Sequence, residues 1–214
     1  SSFDYDNGAV TNTDIINKLK EKNVAVAAIT DHHVMDVERI KNLQSLSDDS
    51  LTILPGIEFR SELGGSESIH FIGIFPEKPE PNLETIWTKL SGKLDITESD
   101  VNEVGDDSVY CDLEEASQLI HELGGIVTIH AGNKTNTIEN ITNSLSYKMA
   151  QKEDILENID TFEMGKKEDI SDYLDYVYPN INKHLPMITC SDNHNINNYN
   201  LEDKCWIKAN PTFE

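Results

Sequence analysis

The most regular pattern along the chain is a short apolar run that carries an ionisable side chain. Four such runs end in these groups: 25–30 before Asp31 and His32, 51–57 before Glu58, 125–129 before His130, and 187–191 before Asp192 and His194. A fifth run, 68–75, has His70 inside it. Short runs of small and β-branched apolar residues are typical of strands buried on both faces of a sheet. Because the carboxyl ends of parallel strands meet at one edge, where catalytic groups gather, we expect these side chains to lie together.

Amphipathic segments alternate with the apolar runs and predict helices. Capping side chains at 11–14 begin a helix that ends near residue 23, and Pro179 ends a helix over 169–178. The other expected helices cover 36–46, 83–94, 112–123 and 147–157, and two more strands are expected at 158–164 and 205–208. The polar segment 133–146 is predicted as a long loop over the site. The alternation predicts an α/β fold of parallel strands with right-handed crossovers, either a barrel or a wound sheet.

The composition is that of one water-soluble domain. The chain has 214 residues, of which 37% are hydrophobic, and its mean hydropathy is -0.47. No apolar run approaches the roughly 20 residues that a membrane helix needs. Its three cysteines lack paired metal spacing and are interpreted as reduced thiols, so we expect a cytoplasmic protein with no membrane partner.

The charge of the chain limits its partners. The formal net charge is -22, which repels phosphate backbones and argues against non-specific binding of nucleic acid by this segment alone. Bound cations are often the largest charges in a site and reverse the sign locally. A phosphate substrate is therefore compatible with this acidity.

Each candidate residue has a purely structural alternative. A single buried histidine at the end of a strand is usually a hydrogen-bonded core residue. Six ionisable residues that all match the sequence motifs described below favour a site instead. Asp31 is interpreted as a carboxylate that orients a ligand imidazole, and His33 as an exposed loop residue. Arg60 and Lys134 are candidates for neutralising a substrate phosphate, with ordinary surface cations as the alternative. Glu163 also ends a predicted strand, but no role is assigned to it.

Five motifs follow one another along the chain: Thr30-Asp31-His32, Gly56-Ile57-Glu58, His70 within a strand, Ile129-His130 and Ser191-Asp192-Asn193-His194. Together they resemble the motifs of the PHP (polymerase and histidinol phosphatase) superfamily. The opening residues 1–5 and the closing residues 206–214 resemble, more narrowly, the amino-terminal PHP domain of TrlF-like proteins, which an ATPase domain follows. The resemblance implies a distorted (β/α)7 barrel with parallel strands and a metal site at the C-terminal strand ends. It also implies that 1–214 is a single PHP-like domain of a larger protein.

The same resemblance implies two or three divalent ions, Mn, Zn or Fe, at this site. The implied metal ligands are Asp4, His32, Glu58, His70, His130, Asp192 and His194. Glu58 would bridge two ions, with His70 and His130 completing one site and Asp192 belonging to the other. A third ion would be held by His32 and His194 together with Asp4. Imidazole and carboxylate are ligands appropriate to Zn and Mn.

The chain departs from the PHP pattern in one respect. PHP proteins begin with a His-x-His pair on the first strand, and this sequence contains no such pair. Because the remaining motif residues are all in place, we interpret the difference as a truncation ahead of residue 1. A real loss would remove half of one metal site, the one that contains Asp192.

The function predicted from these features is a metal-dependent phosphoesterase in which Glu58, His130 and Asp192 are the catalytic residues. The resemblance favours a nuclease-type phosphodiesterase that acts on DNA or RNA beside the ATPase domain of the same protein, in phage defence. Two alternatives stay open. One is a degenerate PHP domain that binds its ATPase and does no chemistry; the other is a small-molecule phosphomonoesterase similar to histidinol phosphatase.

Overall fold

Six strands form one curled, half-barrel sheet in a computed structural model of the chain. The structure describes residues 10–62, 68–96, 109–132, 134, 136–138, 154–181, 183–200, 205, 210 and 212–213. In this part of the chain the strands neighbour one another in sequence order. They are β1 (Val26–Ile29), β2 (Thr52–Ser61), β3 (Ile69–Ile74), β4 (Ile126–Ala131), β5 (Thr161–Met164) and β6 (Met187–Ile188).

One strand of the sheet runs against the others. The pairs β1–β2, β4–β5 and β5–β6 are parallel, whereas β3 is antiparallel to both β2 and β4. The prediction that all strands are parallel is therefore wrong at β3. Only residues 62–68 connect β2 to β3, and a parallel connection needs a crossover of about a dozen residues or more. The reversal brings the beginning of β3 to the edge where β2 ends, with His70 paired to Arg60 in the register.

Helices pack against this sheet and largely follow the predicted segments. They are α1 (Asn12–Glu21), α2 (Val37–Leu46), α3 (Leu83–Lys93), α4 (Leu113–Glu122), α5 (Asp169–Asp172) and α6 (Tyr178–Ile181). The first four begin where a side-chain oxygen accepts a backbone N–H of the first turn; these caps are Thr11, Asp36, Asn82 and Asp112. Capping satisfies N–H groups that the helix itself leaves without partners, which explains why these boundaries could be predicted.

The helix near Pro179 is longer than predicted. A π-helical turn, Tyr173–Val177, joins α5 to α6, so the helical backbone passes through Pro179 and ends at Ile181. Proline breaks an α-helix because its ring clashes with the carbonyl four residues earlier and because it lacks an N–H. The wider turn before Pro179 changes that spacing, so the helical backbone continues through the proline.

The core lies between the sheet and the helices in two clusters. The larger includes Phe59 and Phe71, whose ring centroids are 5.5 Å apart, and Ile120 of α4. Gly73 of β3 permits the close approach of α4, because a Cβ atom there would lie 2.8 Å from Ile120 Cδ1. The smaller cluster joins α1, α2 and the beginning of β2; its buried members are Ile15, Ile16, Leu19, Leu43, Leu51, Ile53, Ile196 and Tyr199.

Some predictions about the strands are wrong or fall on parts of the chain that are not described. The prediction that β1 is buried on both faces is wrong, since all four of its residues are half-buried. Within the described residues β1 has a strand neighbour on one side only, which leaves part of it uncovered. Residues 206–208 of the expected strand at 205–208, most of the loop at 133–146 and the first part of the helix at 147–157 lie outside the described residues. No helix in the described ranges is long and apolar enough to cross a membrane.

Candidate metal centre

The site begins with the backbone that joins the end of β1 to β2. His32 and Glu58 form a parallel β-bridge beyond the end of β1. The Glu58 N–H donates to the Asp31 carbonyl at 3.0 Å, and the His33 N–H donates to the Glu58 carbonyl at 2.8 Å. These bonds extend the parallel pairing past residue 29, so that the His32 and Glu58 side chains lie side by side.

His32, Glu58 and His70 form the most compact group of metal-ligating side chains in the described part of the chain. One ligand atom from each lies within 4.8 Å of the others. Glu58 Oε1 is 2.6 Å from His70 Nδ1, and Glu58 Oε2 is 3.5 Å from His32 Nε2. Two imidazoles and one carboxylate at this spacing are a donor set that suits Zn, Mn or Fe.

The ring of His70 is fixed from its other side by two donors. Its Nε2 accepts a hydrogen bond from Arg60 Nε at 3.1 Å and faces Asn136 Nδ2 at 3.0 Å. The backbone N–H of His70 also donates to the Asn136 carbonyl at 2.9 Å. Because an arginine Nε only donates, this network assigns the ring proton of neutral His70 to Nδ1, from which it is donated to Glu58. Metal ligation by His70 would replace one of these bonds.

Glu58 is ionised in this arrangement. Burial opposes its negative charge, but the hydrogen bonds from His32 and His70 outweigh burial and hold the pKa of the carboxyl well below its ordinary value. His130 adds a smaller effect in the same direction. An ionised carboxylate between two imidazoles is ready to accept a cation without first losing a proton.

A second group of ionisable side chains surrounds Lys134. The Lys134 ammonium donates to Glu163 Oε1 and lies 3.7 Å from Asp192 Oδ2. His130 Nε2 is 3.9 Å from the same Glu163 oxygen. Burial opposes the charge of Lys134, but Glu163 and Asp192 outweigh it and raise the pKa of the ammonium. Burial lowers the pKa of His130, although the charge of Glu163 acts in the opposite direction.

A row of four histidine rings links the two groups. Their centroid distances are 5.7 Å for His194–His32, 6.0 Å for His32–His70 and 5.3 Å for His70–His130. The side chain of His194 is 45% exposed and that of Asp192 is 42% exposed, whereas those of Glu58 and Glu163 are almost fully buried. The site is therefore open on the side of residues 192–194 and closed beneath.

The structure brings most of the predicted site residues to one edge of the sheet, although their roles as ligands stay predictions. Asp4 lies outside the described residues. Arg60 is buried and turned toward His70 rather than left open to a substrate, and Lys134 is held by two carboxylates. The prediction that His33 is an exposed loop residue is wrong: its exposure is 0%, and its ring packs 6.0 Å from that of Phe59.

Two residues of this region were missed by the sequence-based reasoning. Glu163 lies at the C-terminal edge of β5, the same position as the candidate ligands of other strands, and that position was the signal available. Its Oε2 atom is buried and has no hydrogen-bond partner among the described residues. Asn136 lies in a polar segment whose sequence gives no sign that it reaches His70.

Comparisons with known proteins agree at the level of fold. No family model and no curated protein sequence matches the chain. A solved structure from Bifidobacterium adolescentis, assigned as a metal-dependent phosphoesterase, is similar with a TM-score of 0.52 and 13% identity over 86% of this chain and 82% of that one. An amidohydrolase from Chromobacterium violaceum with bound sulfate is similar with a TM-score of 0.53 and 14% identity, over 87% and 83%. Likeness at such low identity shows a shared fold.

Proposed function

We propose that this chain is a metal-dependent phosphoester hydrolase. The observation that carries the proposal is the group formed by His32, Glu58 and His70, whose ligand atoms lie within 4.8 Å of one another at one edge of the sheet. The fold shared with a metal-dependent phosphoesterase and an amidohydrolase supports it. A buried carboxylate whose pKa is held low by two imidazoles is a common feature of functional sites, which favours a site over a structural role.

The residues present fit a divalent metal ion. Glu58 is ionised, and His32 and His70 each offer a ring nitrogen within reach of it. These three side chains would hold the ion, with Mn, Zn or Fe as the metals that match the donor set. When bound, such an ion supplies a water of lowered pKa and polarises a phosphoryl oxygen.

The chain's own residues provide orientation and access. Arg60 and Asn136 hold the His70 ring, and the ring holds one oxygen of Glu58, so the carboxylate has little freedom to rotate. Asp192 and His194 lie on the exposed side, where a phosphate group can approach. The exposed side therefore determines which substrates enter, and the buried side determines how the ligands are arranged.

The finer proposal concerns the substrate. The resemblance to TrlF-like proteins supports a nucleic-acid phosphodiester as the substrate and an ATPase domain in the same protein, with a role in phage defence. The net charge of -22 favours a different substrate, a small phosphomonoester, because an acidic surface repels a polyanion. Both substrates would be hydrolysed by the same proposed chemistry. They differ in the kind of substrate that the exposed side of the site must admit.

The proposal is tested by metal content and phosphoester hydrolysis of the purified chain. We expect Mn- or Zn-dependent hydrolysis of p-nitrophenyl phosphate or bis(p-nitrophenyl) phosphate, lowered by about 100-fold or more in Glu58→Gln. The control is His121→Asn. His121 forms another histidine–carboxylate pair, with Nε2 2.8 Å from Asp160 Oδ2, but it lies on α4 outside the site. This variant should keep its metal and its activity.

The possible results separate the alternatives. Folded protein that takes up neither Mn nor Zn would contradict the proposal and favour a non-catalytic domain that binds a partner. Hydrolysis of the diester together with single-stranded DNA or RNA would support the nuclease. Hydrolysis confined to monoesters would support a small-molecule phosphatase.

A further inference from the structure

The segment that follows β6 crosses from one side of the half-barrel to the other. In the described part of the chain, β1 and β6 are the outer strands of the sheet and are not paired with each other. Residues 189–200 begin at β6, yet their 3₁₀ turn, Ile196–Asn198, contacts α1. The helix α1 packs in the same small core cluster as residues of β1. The segment therefore spans the open side of the half-barrel, between its last strand and its first.

Two apolar side chains anchor the far end of this segment. Ile196 and Tyr199 are buried, although most of residues 192–200 are exposed. Both side chains are members of the small core cluster, together with three residues of α1. Burial of large apolar side chains is the main source of stabilisation in such a cluster. The segment is thus held on α1 by these two residues.

The backbone between His194 and the anchor is restrained by its own hydrogen bonds. The Asn195 N–H donates to Asn193 Oδ1 at 3.1 Å, and the Asn197 N–H donates to Asn195 Oδ1 at 3.0 Å. Such bonds from an asparagine side chain to the backbone two residues on fix a turn. Because Ile196 lies inside this restrained stretch, its location on α1 determines where His194 lies.

His194 reaches the candidate metal centre from this segment. The centroid of its ring is 5.7 Å from that of His32. The side chain of His194 is 45% exposed, whereas that of His32 is 12% exposed. His194 therefore lies on the solvent side of the metal group, and it belongs to a different part of the chain from the three residues of that group.

We infer that Ile196 is a positioning residue, which with Tyr199 anchors the segment on α1 and thereby holds His194 beside His32 at the entrance of the site. This inference rests on the proposed function, because it divides the site into a metal group and an entrance that binds the substrate phosphate. An imidazole N–H donates hydrogen bonds to phosphate oxygens. Such a contact is made in the ground state and in the transition state alike, so its loss raises KM and leaves kcat unchanged.

The test compares Ile196→Ala with two reference variants. Ile196→Val keeps most of the anchor, and Leu43→Ala removes an equal number of carbon atoms from the same cluster, on α2. We expect Ile196→Ala to raise the KM for the hydrolysed p-nitrophenyl ester by about 10-fold, with kcat within about 2-fold of the wild type. Its affinity for Zn, measured by competition with a chelator, should equal that of the wild type. Ile196→Val and Leu43→Ala should keep the wild-type KM, although Leu43→Ala lowers Tm.

A second measurement needs neither metal nor activity. NMR of protein with isotopically labelled histidines detects the contact between the rings of His194 and His32 as a nuclear Overhauser effect. We expect this effect in the metal-free wild type and in Leu43→Ala, and we expect its loss in Ile196→Ala. A role confined to core packing would lower Tm in both alanine variants and leave the ring contact in place.

The outcomes separate this inference from the proposed function. A wild-type KM in Ile196→Ala overturns the inference, as does an equal rise of KM in Leu43→Ala, since the effect is then one of general stability. A wild type that binds no metal and hydrolyses neither ester contradicts the proposed function. The ring contact then decides the inference, which is supported if Ile196→Ala loses the contact and overturned if it keeps it. If Ile196→Ala is too unstable to purify, Tyr199→Leu weakens the second anchor, and the same changes are expected.

Discussion

Glu58 Oε1 lies 2.6 Å from His70 Nδ1, across the antiparallel pair β2–β3. The contact exists because β3 runs against its neighbours, which brings its first residues to the edge where β2 ends. In a strand of the predicted direction, a histidine at the second residue would lie at the opposite edge. The reversal thus places an imidazole from the beginning of one strand beside a carboxylate near the end of another.

Arg60 is expected to control metal affinity without touching the metal. Its Nε donates to His70 Nε2 at 3.1 Å and fixes the ring that holds Glu58. Arg60→Met keeps most of the apolar stem and removes the donor. A neutral His70 that ligates a metal through Nδ1 carries its proton on Nε2, where it cannot accept from Arg60, so we expect metal affinity to rise by about 10-fold. Competition with a chromogenic chelator measures this affinity. Unchanged or lower affinity in Arg60→Met would show that this bond does not oppose metal binding; the control is Lys41→Met, since Lys41 pairs with Glu84 on the surface.

The low pKa of Glu58 predicts how stability depends on pH in metal-free protein. An unfolded glutamate titrates near pH 4.3, and the folded pKa lies below that value. The stabilisation is therefore fully present above about pH 4.3 and is lost as the pH falls through the folded pKa. Below pH 4.3, we expect the free energy of unfolding of the wild type to fall, relative to that of Glu58→Gln, by up to about 1.4 kcal/mol per pH unit.

Urea unfolding in the presence of a chelator measures this difference between pH 3 and pH 7. The control is Glu114→Gln, which changes an exposed glutamate of α4. The difference in free energy of unfolding between Glu114→Gln and the wild type should stay small between pH 3 and pH 7. A Glu58→Gln curve parallel to that of the wild type at every pH would mean that the two histidines do not stabilise the ionised carboxylate.

The sequence predicts the helices and the positions of several candidate site residues because both depend on local signals. The caps at Thr11 and Asp112 mark where helices begin, and apolar runs that end in Glu58 or His130 mark the edge of the sheet. The direction of β3 has no such local signal. It is determined by a connection too short for a crossover and not by the residues of the strand itself.

The contacts of the site depend on tertiary register, which no local signal carries. Lys134 meets Glu163 because β4 and β5 are neighbours in register, with His130 paired to Glu163. Asn136 reaches His70 from a polar segment that has no periodicity to mark it. Burial of His33 follows from its left-handed backbone, φ 58°, and from its bond to the Glu58 carbonyl, which together turn the ring toward Phe59.

Gly73 is expected to be required for the packing of α4 on β3. An alanine Cβ there would lie 2.8 Å from Ile120 Cδ1, closer than two carbon atoms pack, and Ile120 is fully buried. We expect Gly73→Ala to lower the free energy of unfolding by about 1–3 kcal/mol, the usual cost of overpacking. Ile120→Val removes the Cδ1 atom, so the double variant should recover part of this loss in a double-mutant cycle. If the losses of the two single variants simply add in the double variant, the strain of Gly73→Ala does not arise from contact with Ile120 Cδ1.

Metal binding is expected to stabilise the fold, because His32, Glu58 and His70 come from three separate segments that are brought together only on folding. At a free metal concentration about 100 times the Kd, the gain is about 2.7 kcal/mol, or a rise in Tm of about 5–10 °C for a chain of this size. Thermal unfolding with Mn or Zn, and again after chelation, measures the shift. His32→Ala should abolish it and His121→Asn should keep it; an equal shift in both variants would mean that metal binds outside this group.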